Sequence, residues 1–327
     1  MKSFDLSVPS KTFFTGEYLA LLDGPAILLN TKPRFQNKFE LNIEKEFYTN
    51  PIEDEEHPLH KYWMENEDFL LDFDYDFIDP YQGKGGFGAS SAQWAAFYAF
   101  VNQYHPSMSY FFDKTKNEND FTKNIDFDFV STFLKKYRSI SNAQTKSKFP
   151  PSGYDVLSQW VGKVAYIDIQ NKVIKRFDWP FDGLSFVLIK SQEKIATHEH
   201  LKDLNQIPEK GLRSCVAKTL KAFETKSQAL LIEGIQENYE VLKSADLVAP
   251  QALKTLEKIS KHEFVLAAKG CGALGADVFC ALVKSENLPQ FLSYGASENM
   301  RLVAAEDDLS HGIEVKTDFD SSHATLH

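Results

Sequence analysis

The chain has 327 residues, of which 43% are hydrophobic and 25% charged, and a formal net charge of −10. This length holds one large domain or two ordinary ones, with a core that needs no disulfide or metal staple. The acidic balance speaks against broad nucleic-acid binding, and no apolar run approaches the length of a membrane span.

Residues 3–8 alternate and predict a strand. The stretch from Lys11 to Tyr18 leads into the apolar Leu19-Ala20-Leu21-Leu22, Asp23-Gly24 signals a turn, and Ala26-Ile27-Leu28-Leu29 predicts the next strand. Phe39 to Phe47 alternates again, so the opening is β-rich. The acidic Glu53-Asp54-Glu55-Glu56 and the stretch from Glu65 to Asp79 read as solvated faces or loops. Gly83 to Ala92 is a run of glycines and serines opening onto Gln93–Val101, which predicts a buried helix. Residues 113–126 read as a polar surface insertion. Phe127 to Ser141 has helical spacing, with Phe129, Phe133 and Tyr137 on one side.

Pro150 to Asp155 is a punctuated turn, followed by a short helix from Val156 to Trp160 and a strand from Val164 to Ile169. A boundary falls near residue 180. Beyond it come a strand from Ser185 to Lys190, several helices between Thr197 and Lys261, and a buried strand from Phe264 to Ala268. A second glycine-bearing stretch, Lys269 to Asp277, precedes a predicted helix from Val278 to Lys284. No internal repeat is present. The class is α+β, with expected domains 1–180 and 181–327. Cys215, Cys271 and Cys280 make neither a paired framework nor a C-x-x-C spacing. Met1-Lys2-Ser3-Phe4-Asp5 lacks the pattern of a signal peptide. The expected compartment is a reducing cytoplasm.

The glycine run carries the first chemical signal. Gly85, Gly86 and Gly88 let backbone approach a ligand closely, because no Cβ intervenes. The helix that follows presents unpaired N–H groups and the positive end of a dipole, with Ala89, Ser90 and Ser91 at its start. The natural ligand for such a cradle is a phosphate chain. The alternative is a surface loop whose serines cap a helix. The run lacks the Lys-Ser or Lys-Thr of the G-x-x-x-x-G-K-[ST] loop.

Four stretches, in order, resemble motifs of the GHMP kinase superfamily. Pro9-Ser10-Lys11-Thr12-Phe13-Phe14-Thr15-Gly16-Glu17-Tyr18 is similar to P-G-K-x-x-x-x-G-E-[HY]. Gly86-Phe87-Gly88-Ala89-Ser90-Ser91-Ala92 is similar to G-L-G-S-S-A-A. Ser152-Gly153-Tyr154-Asp155-Val156 resembles the S-G-x-D-[VN] of the mevalonate-pathway branch, and Lys269–Asp277 resembles K-P-S-G-A-G-G-G-D of phosphomevalonate kinases. The resemblance implies a two-domain fold, with an N-terminal nucleotide-binding domain of ribosomal-protein-S5-like type and a C-terminal ferredoxin-like-type domain. It implies ATP and Mg²⁺ as cofactors and Asp155 and Lys11 as catalytic residues. Gly85, Gly86, Gly88, Ala89, Ser90 and Ser91 would hold the nucleotide, and Ser90 would meet the metal. Lys194, Thr197, Gly272, Ala273, Ser152 and Gly153 would face the acceptor.

Asp155 would take the proton of the attacking hydroxyl, or else serve as a turn aspartate bonded to its own backbone. Lys11 would stabilise the moving phosphoryl charge, or else stand as a solvated lysine at a strand end. Glu17 would tie the first motif together. His198 reads either as a base or as a surface histidine, and Arg138 and Lys148 are further candidates for an anionic substrate. Ala89, Leu274 and Ala276 depart from the family pattern, as does Gly270-Cys271 in place of Pro-Ser. Gln144 stands where mevalonate kinases carry a metal-binding glutamate. The expected partners are ATP and a small anionic acceptor, with a homodimer as an option and with neither nucleic acid nor membrane. The acceptor ranking is phosphomevalonate, then mevalonate, with a diphosphomevalonate decarboxylase or a catalytically silent ligand binder as alternatives.

Overall fold

The computed structural model describes residues 3–42, 51–52, 54–55, 57–83, 85–113, 120–145, 149–190, 207–272, 274, 278–298 and 300–317. A six-stranded antiparallel sheet has the order β10-β1-β2-β4-β5, with β3 also paired to β2. Its strands are β1 (Ser3–Thr15), β2 (Ala26–Leu41), β3 (Phe73–Ile78), β4 (Val164–Asp168), β5 (Val173–Phe177) and β10 (Glu314–Thr317). A four-stranded antiparallel sheet has the order β7-β8-β6-β9, built from β6 (Leu184–Lys190), β7 (Val265–Cys271), β8 (Val278–Lys284) and β9 (Arg301–Ala305). The boundary expected near residue 180 lies where the chain leaves β5 for β6. The last strand then returns to the first sheet, pairing Phe4 with Thr317 and Ser7 with Glu314.

Helices α1 (Pro58–Glu65), α2 (Glu67–Leu70), α3 (Ala89–Val101), α4 (Pro106–Phe112), α5 (Phe127–Thr145) and α6 (Tyr154–Val161) accompany the first sheet. Helices α8 (Gln228–Ser244), α9 (Pro250–Ser260) and α10 (Leu288–Ser297) accompany the second, while α7 (Glu209–Thr225) packs on α8 and against β1 and β2. Helices α3 and α6 pack on each other and on β1. Helix α3 is buried almost all round, as its unbroken apolar sequence requires. The 27 phenylalanines find their use here. Phe39 stacks on Phe100 at 4.1 Å and meets Phe97 edge-on at 5.1 Å, while Trp160 packs on Phe133 at 4.8 Å. On α5, Phe129, Phe133 and Tyr137 are all buried. Among the described residues, no helix is long and apolar enough to cross a membrane.

Three sequence expectations are corrected. Val278–Lys284 is a strand, not a helix. It lies between β6 and β7, buried on both faces, and there a short apolar run carries no alternation to distinguish the two. The acidic stretch before Asp79 contains β3, whose Phe73, Tyr75 and Phe77 alternate with Asp74 and Asp76 and pair with β2. Of the alternating segment from Phe39, residues 39–41 are the far end of the strand that starts at Ala26 and residues 43–47 lie outside the described residues, while β1 continues to Thr15.

Candidate active site

Lys11 lies on β1 beside the glycine loop, and its N–H donates to the Phe87 carbonyl at 3.0 Å. Its side chain runs across Gly88. A Cβ built on Gly88 would stand 2.9 Å from Lys11 Cγ and 2.7 Å from Ser91 Oγ, and the backbone there has φ of 86°. Only glycine meets both demands. Helix α3 starts on Gly88, so the N–H groups of Ala89, Ser90 and Ser91 lack intrahelical acceptors. Ser90 is exposed, and Gly85 opens on empty space. Lys190, at the end of β6, brings a second cation near the loop, 5.8 Å from the centre of the Phe87 ring.

Asp155 sits half-buried in the first turn of α6, which starts on Gly153 at φ of 78°. Its Oδ1 accepts from the Val156 N–H at 3.1 Å, and among the described residues Oδ2 has no donor. Burial pushes the phenol of Tyr137 well above its ordinary value, and the charge of the Asp155 carboxylate adds to the rise. Arg138 clamps the turn in front of Asp155. Its Nη2 donates to the Ser152 carbonyl at 2.8 Å, and the guanidinium also pairs with Asp23.

Helix α6 is fastened to the strand that carries Lys11. Asn30 is the cross-strand partner of Lys11, and its Oδ1 accepts from Ser158 Oγ at 3.2 Å. One residue on, Gln159 Nε2 donates to the Pro9 carbonyl at 2.8 Å and to the Gly88 carbonyl at 3.3 Å. The first, second and S-G-x-D motifs are thereby held at one corner.

Glu17 and Tyr18 reach the third motif. Glu17 Oε1 accepts from Lys269 Nζ at 3.0 Å, and the Leu274 N–H donates to the Tyr18 hydroxyl at 3.0 Å. Leu274 holds φ of 58°, a conformation that a glycine would take without strain. Burial works against the charge on Lys269, but the Glu17 carboxylate overcomes it and the ammonium pKa is raised. Burial also pushes the Cys271 thiol, on the same strand, up to about 11.

Lys11, Asp155, Ser152, Gly153, Gly86, Gly88, Ala89 and Ser90 thus lie in the segments that these bonds join. Ser91 does not present its hydroxyl outward, because it is buried and donates to the Gly88 carbonyl at 3.0 Å. Arg138 is committed to Asp23 and Ser152 rather than free for an anion. Gly272 ends β7 with open space around it. Lys194, Thr197, Ala273, His198 and Lys148 lie outside the described residues. Gln144 is on α5. Sequence reading missed Gln159, Asn30 and Lys190. Nothing local marks them, because their contacts join segments distant in sequence.

The donor set fits a nucleotide, with an exposed loop, a helix start and a lysine side by side. Among the described residues, no group of three or more histidine, cysteine or acidic side chains converges to cage a metal ion.

No protein-family model matches the sequence, and no curated protein matches it. Solved structures do match in three dimensions. The Lactococcus lactis galactokinase, solved with galactose, has a TM-score of 0.68 at 13% identity, over 95% of this chain and 94% of that one. The Streptococcus pneumoniae phosphomevalonate kinase has a TM-score of 0.65 at 15% identity, over 93% of this chain and 99% of that one. The same kinase has been solved with phosphomevalonate and AMPPNP. The Methanococcus jannaschii mevalonate kinase has a TM-score of 0.63 at 14% identity, over 94% and 98%. The chain has the fold of the GHMP kinases.

Proposed function

We propose that this chain transfers the γ-phosphoryl group of ATP to the hydroxyl of a small anionic acceptor, phosphomevalonate first and mevalonate second. The reading is supported by the bonds that Ser158 and Gln159, on the helix that carries Asp155, make to Asn30, Pro9 and Gly88, beside Lys11 and the glycine loop, on a fold shared with such kinases. In this reading the N–H groups at the start of α3 bind the phosphate chain and Ser90 faces its metal. Bound MgATP supplies the transferable phosphoryl group, with charge partly neutralised by the ion.

Asp155 accepts the proton of the acceptor hydroxyl through Oδ2 as the oxygen of that hydroxyl bonds to the γ-phosphorus. The bond from that phosphorus to the leaving oxygen breaks, and the Lys11 ammonium stabilises charge on the phosphoryl oxygens in transit. Ser152 and Gly153 place Asp155, with Arg138 holding the Ser152 carbonyl. Phosphomevalonate ranks first because Gln144 and the Lys269–Asp277 stretch follow the phosphomevalonate kinase pattern. The Lys194 and Thr197 segment is proposed to meet the acceptor's anionic groups.

The test is ADP release from MgATP with phosphomevalonate, mevalonate, diphosphomevalonate, homoserine and galactose. Phosphomevalonate should turn over fastest. Faster turnover of mevalonate would reverse the ranking. Release of CO₂ from diphosphomevalonate would make the chain a decarboxylase. Folded protein that binds no MgATP would remove the kinase reading.

A further inference from the structure

Gln159 lies one helical turn beyond Asp155, so both side chains leave the same face of α6. It is fully buried. Its amide meets two carbonyl oxygens, at 2.8 Å on Pro9 and 3.3 Å on Gly88, and only the NH₂ end can face both. The two carbonyls stand differently. The ladder between β1 and β2 breaks between Val8 and Ser10, which leaves the Pro9 carbonyl at the interruption. The Gly88 carbonyl already accepts from the Ala92 N–H at 2.8 Å and from Ser91 Oγ at 3.0 Å. With a third donor it is turned firmly inward, away from the face on which the unpaired N–H groups of α3 begin.

The other end of the same amide tells against a purely stabilising role. Gln159 Oε1 is buried with no partner among the described residues, and a buried acceptor left unpaired works against folding. We propose that Gln159 is a positioning residue of the phosphoryl-transfer site. It fixes the orientation of the Gly88 peptide and the separation between the phosphate cradle, Lys11 and Asp155. This inference rests on the kinase reading given above and names a residue through which that site is held in register.

Three variants test it, with wild type as reference: Gln159→Leu, which removes both bonds; Gln159→Asn, which keeps the amide but shortens its reach; and Gln159→Glu. Circular dichroism selects the folded proteins, titration with AMPPNP reads nucleotide affinity, and ADP release with the best acceptor of the panel reads kcat. Gln159→Asn should lose about 10²-fold in kcat, the size expected for a misplacement near 1 Å. Its AMPPNP affinity should fall as well. Gln159→Glu should recover relative to wild type as the pH falls from about 8 to about 5, because a buried carboxyl protonates early and then donates its O–H to one carbonyl. Gln159→Asn should show no such recovery. A structural role alone would lower the melting temperature and leave kcat and AMPPNP affinity untouched in folded protein, and that result would overturn the proposal. Wild type that neither binds AMPPNP nor releases ADP would instead sink the kinase reading, and this inference with it.

Discussion

Glu17 and Lys269 meet at 3.0 Å with 4% and 0% of their side chains exposed, joining the end of β1 to the middle of β7. The two sheets therefore share one buried ion pair, and Tyr18 adds a second tie through Leu274.

Removing one partner strands the other charge. Lys269→Met should destabilise the protein by about 3–5 kcal/mol, read by urea unfolding. Combining it with Glu17→Gln should cost less than the sum of the two single changes. The lysine's folded pKa is raised, so its contribution is fully present below the ordinary lysine value of 10.5 and is lost as pH climbs through the folded value. Alkaline unfolding curves of wild type and Lys269→Met should accordingly converge. Parallel curves would show that the pair carries no such charge.

Asp155→Asn keeps shape and removes the base. It should lower kcat about 10²–10⁴-fold while leaving the KM for ATP nearly unchanged. Lys11→Met should likewise act on kcat, by withdrawing charge from the moving phosphoryl group. Steady-state kinetics on folded variants decides. Wild-type kcat in Asp155→Asn would leave the residue as a turn aspartate and sink the mechanism.

Gly88→Ala should damage the loop twice. The backbone has φ of 86°, which costs an alanine about 1–2 kcal/mol, and the new methyl would press on Ser91 Oγ and Lys11 Cγ. AMPPNP affinity should fall on the order of tenfold, equivalent to about 1.4 kcal/mol. Unchanged affinity in titration calorimetry would place the nucleotide elsewhere.

Mild acid should loosen the start of α1. His57 Nδ1 accepts the Leu59 N–H as a helix cap, and burial lowers the pKa of this histidine from 6.5. The unfolded chain therefore takes up the proton first. Stability present above about pH 6.5 falls as the pH drops below it, until the folded histidine is protonated in turn. The ring is partly exposed, so solvent screening keeps the loss small. His311 shifts in the same direction, through burial and the nearby Lys163 and Arg176. His57→Asn retains a cap without a titration, and its stability should fall less between these pH values than that of wild type. An identical slope would rule the cap out.

Local pattern made some of this molecule legible and left other parts hidden, for physical reasons. Helix α5 announced itself because Phe129, Phe133 and Tyr137 fall on one face of a 3.6-residue repeat. The glycine loop was legible because the strained backbone at Gly88 admits few other residues. Strand β8 was misread, since burial on both faces removes the alternation that marks a strand. Gln159 was unreadable because its partners are backbone carbonyls, and any sequence has those. The commitment of Arg138 to Asp23 depends on a contact between β-turn and helix that no spacing encodes. Lys194 and Thr197 remain sequence expectations.

The pairing of β10 with β1 bears on how the chain is born. Phe4 to Ser7 are made well before the strand that covers their edge, Glu314–Thr317. Without Glu314–Thr317, one margin of the first sheet would have unpaired N–H and C=O groups facing outward, the kind of edge that recruits other chains. Arg34 then helps seal the join, donating from Nη2 to the Ser7 and Gly312 carbonyls at 2.5 and 2.8 Å. Closing a contact across nearly the whole chain is slow on grounds of loop entropy. Truncation before Glu314 should therefore leave that edge open and raise the tendency to aggregate.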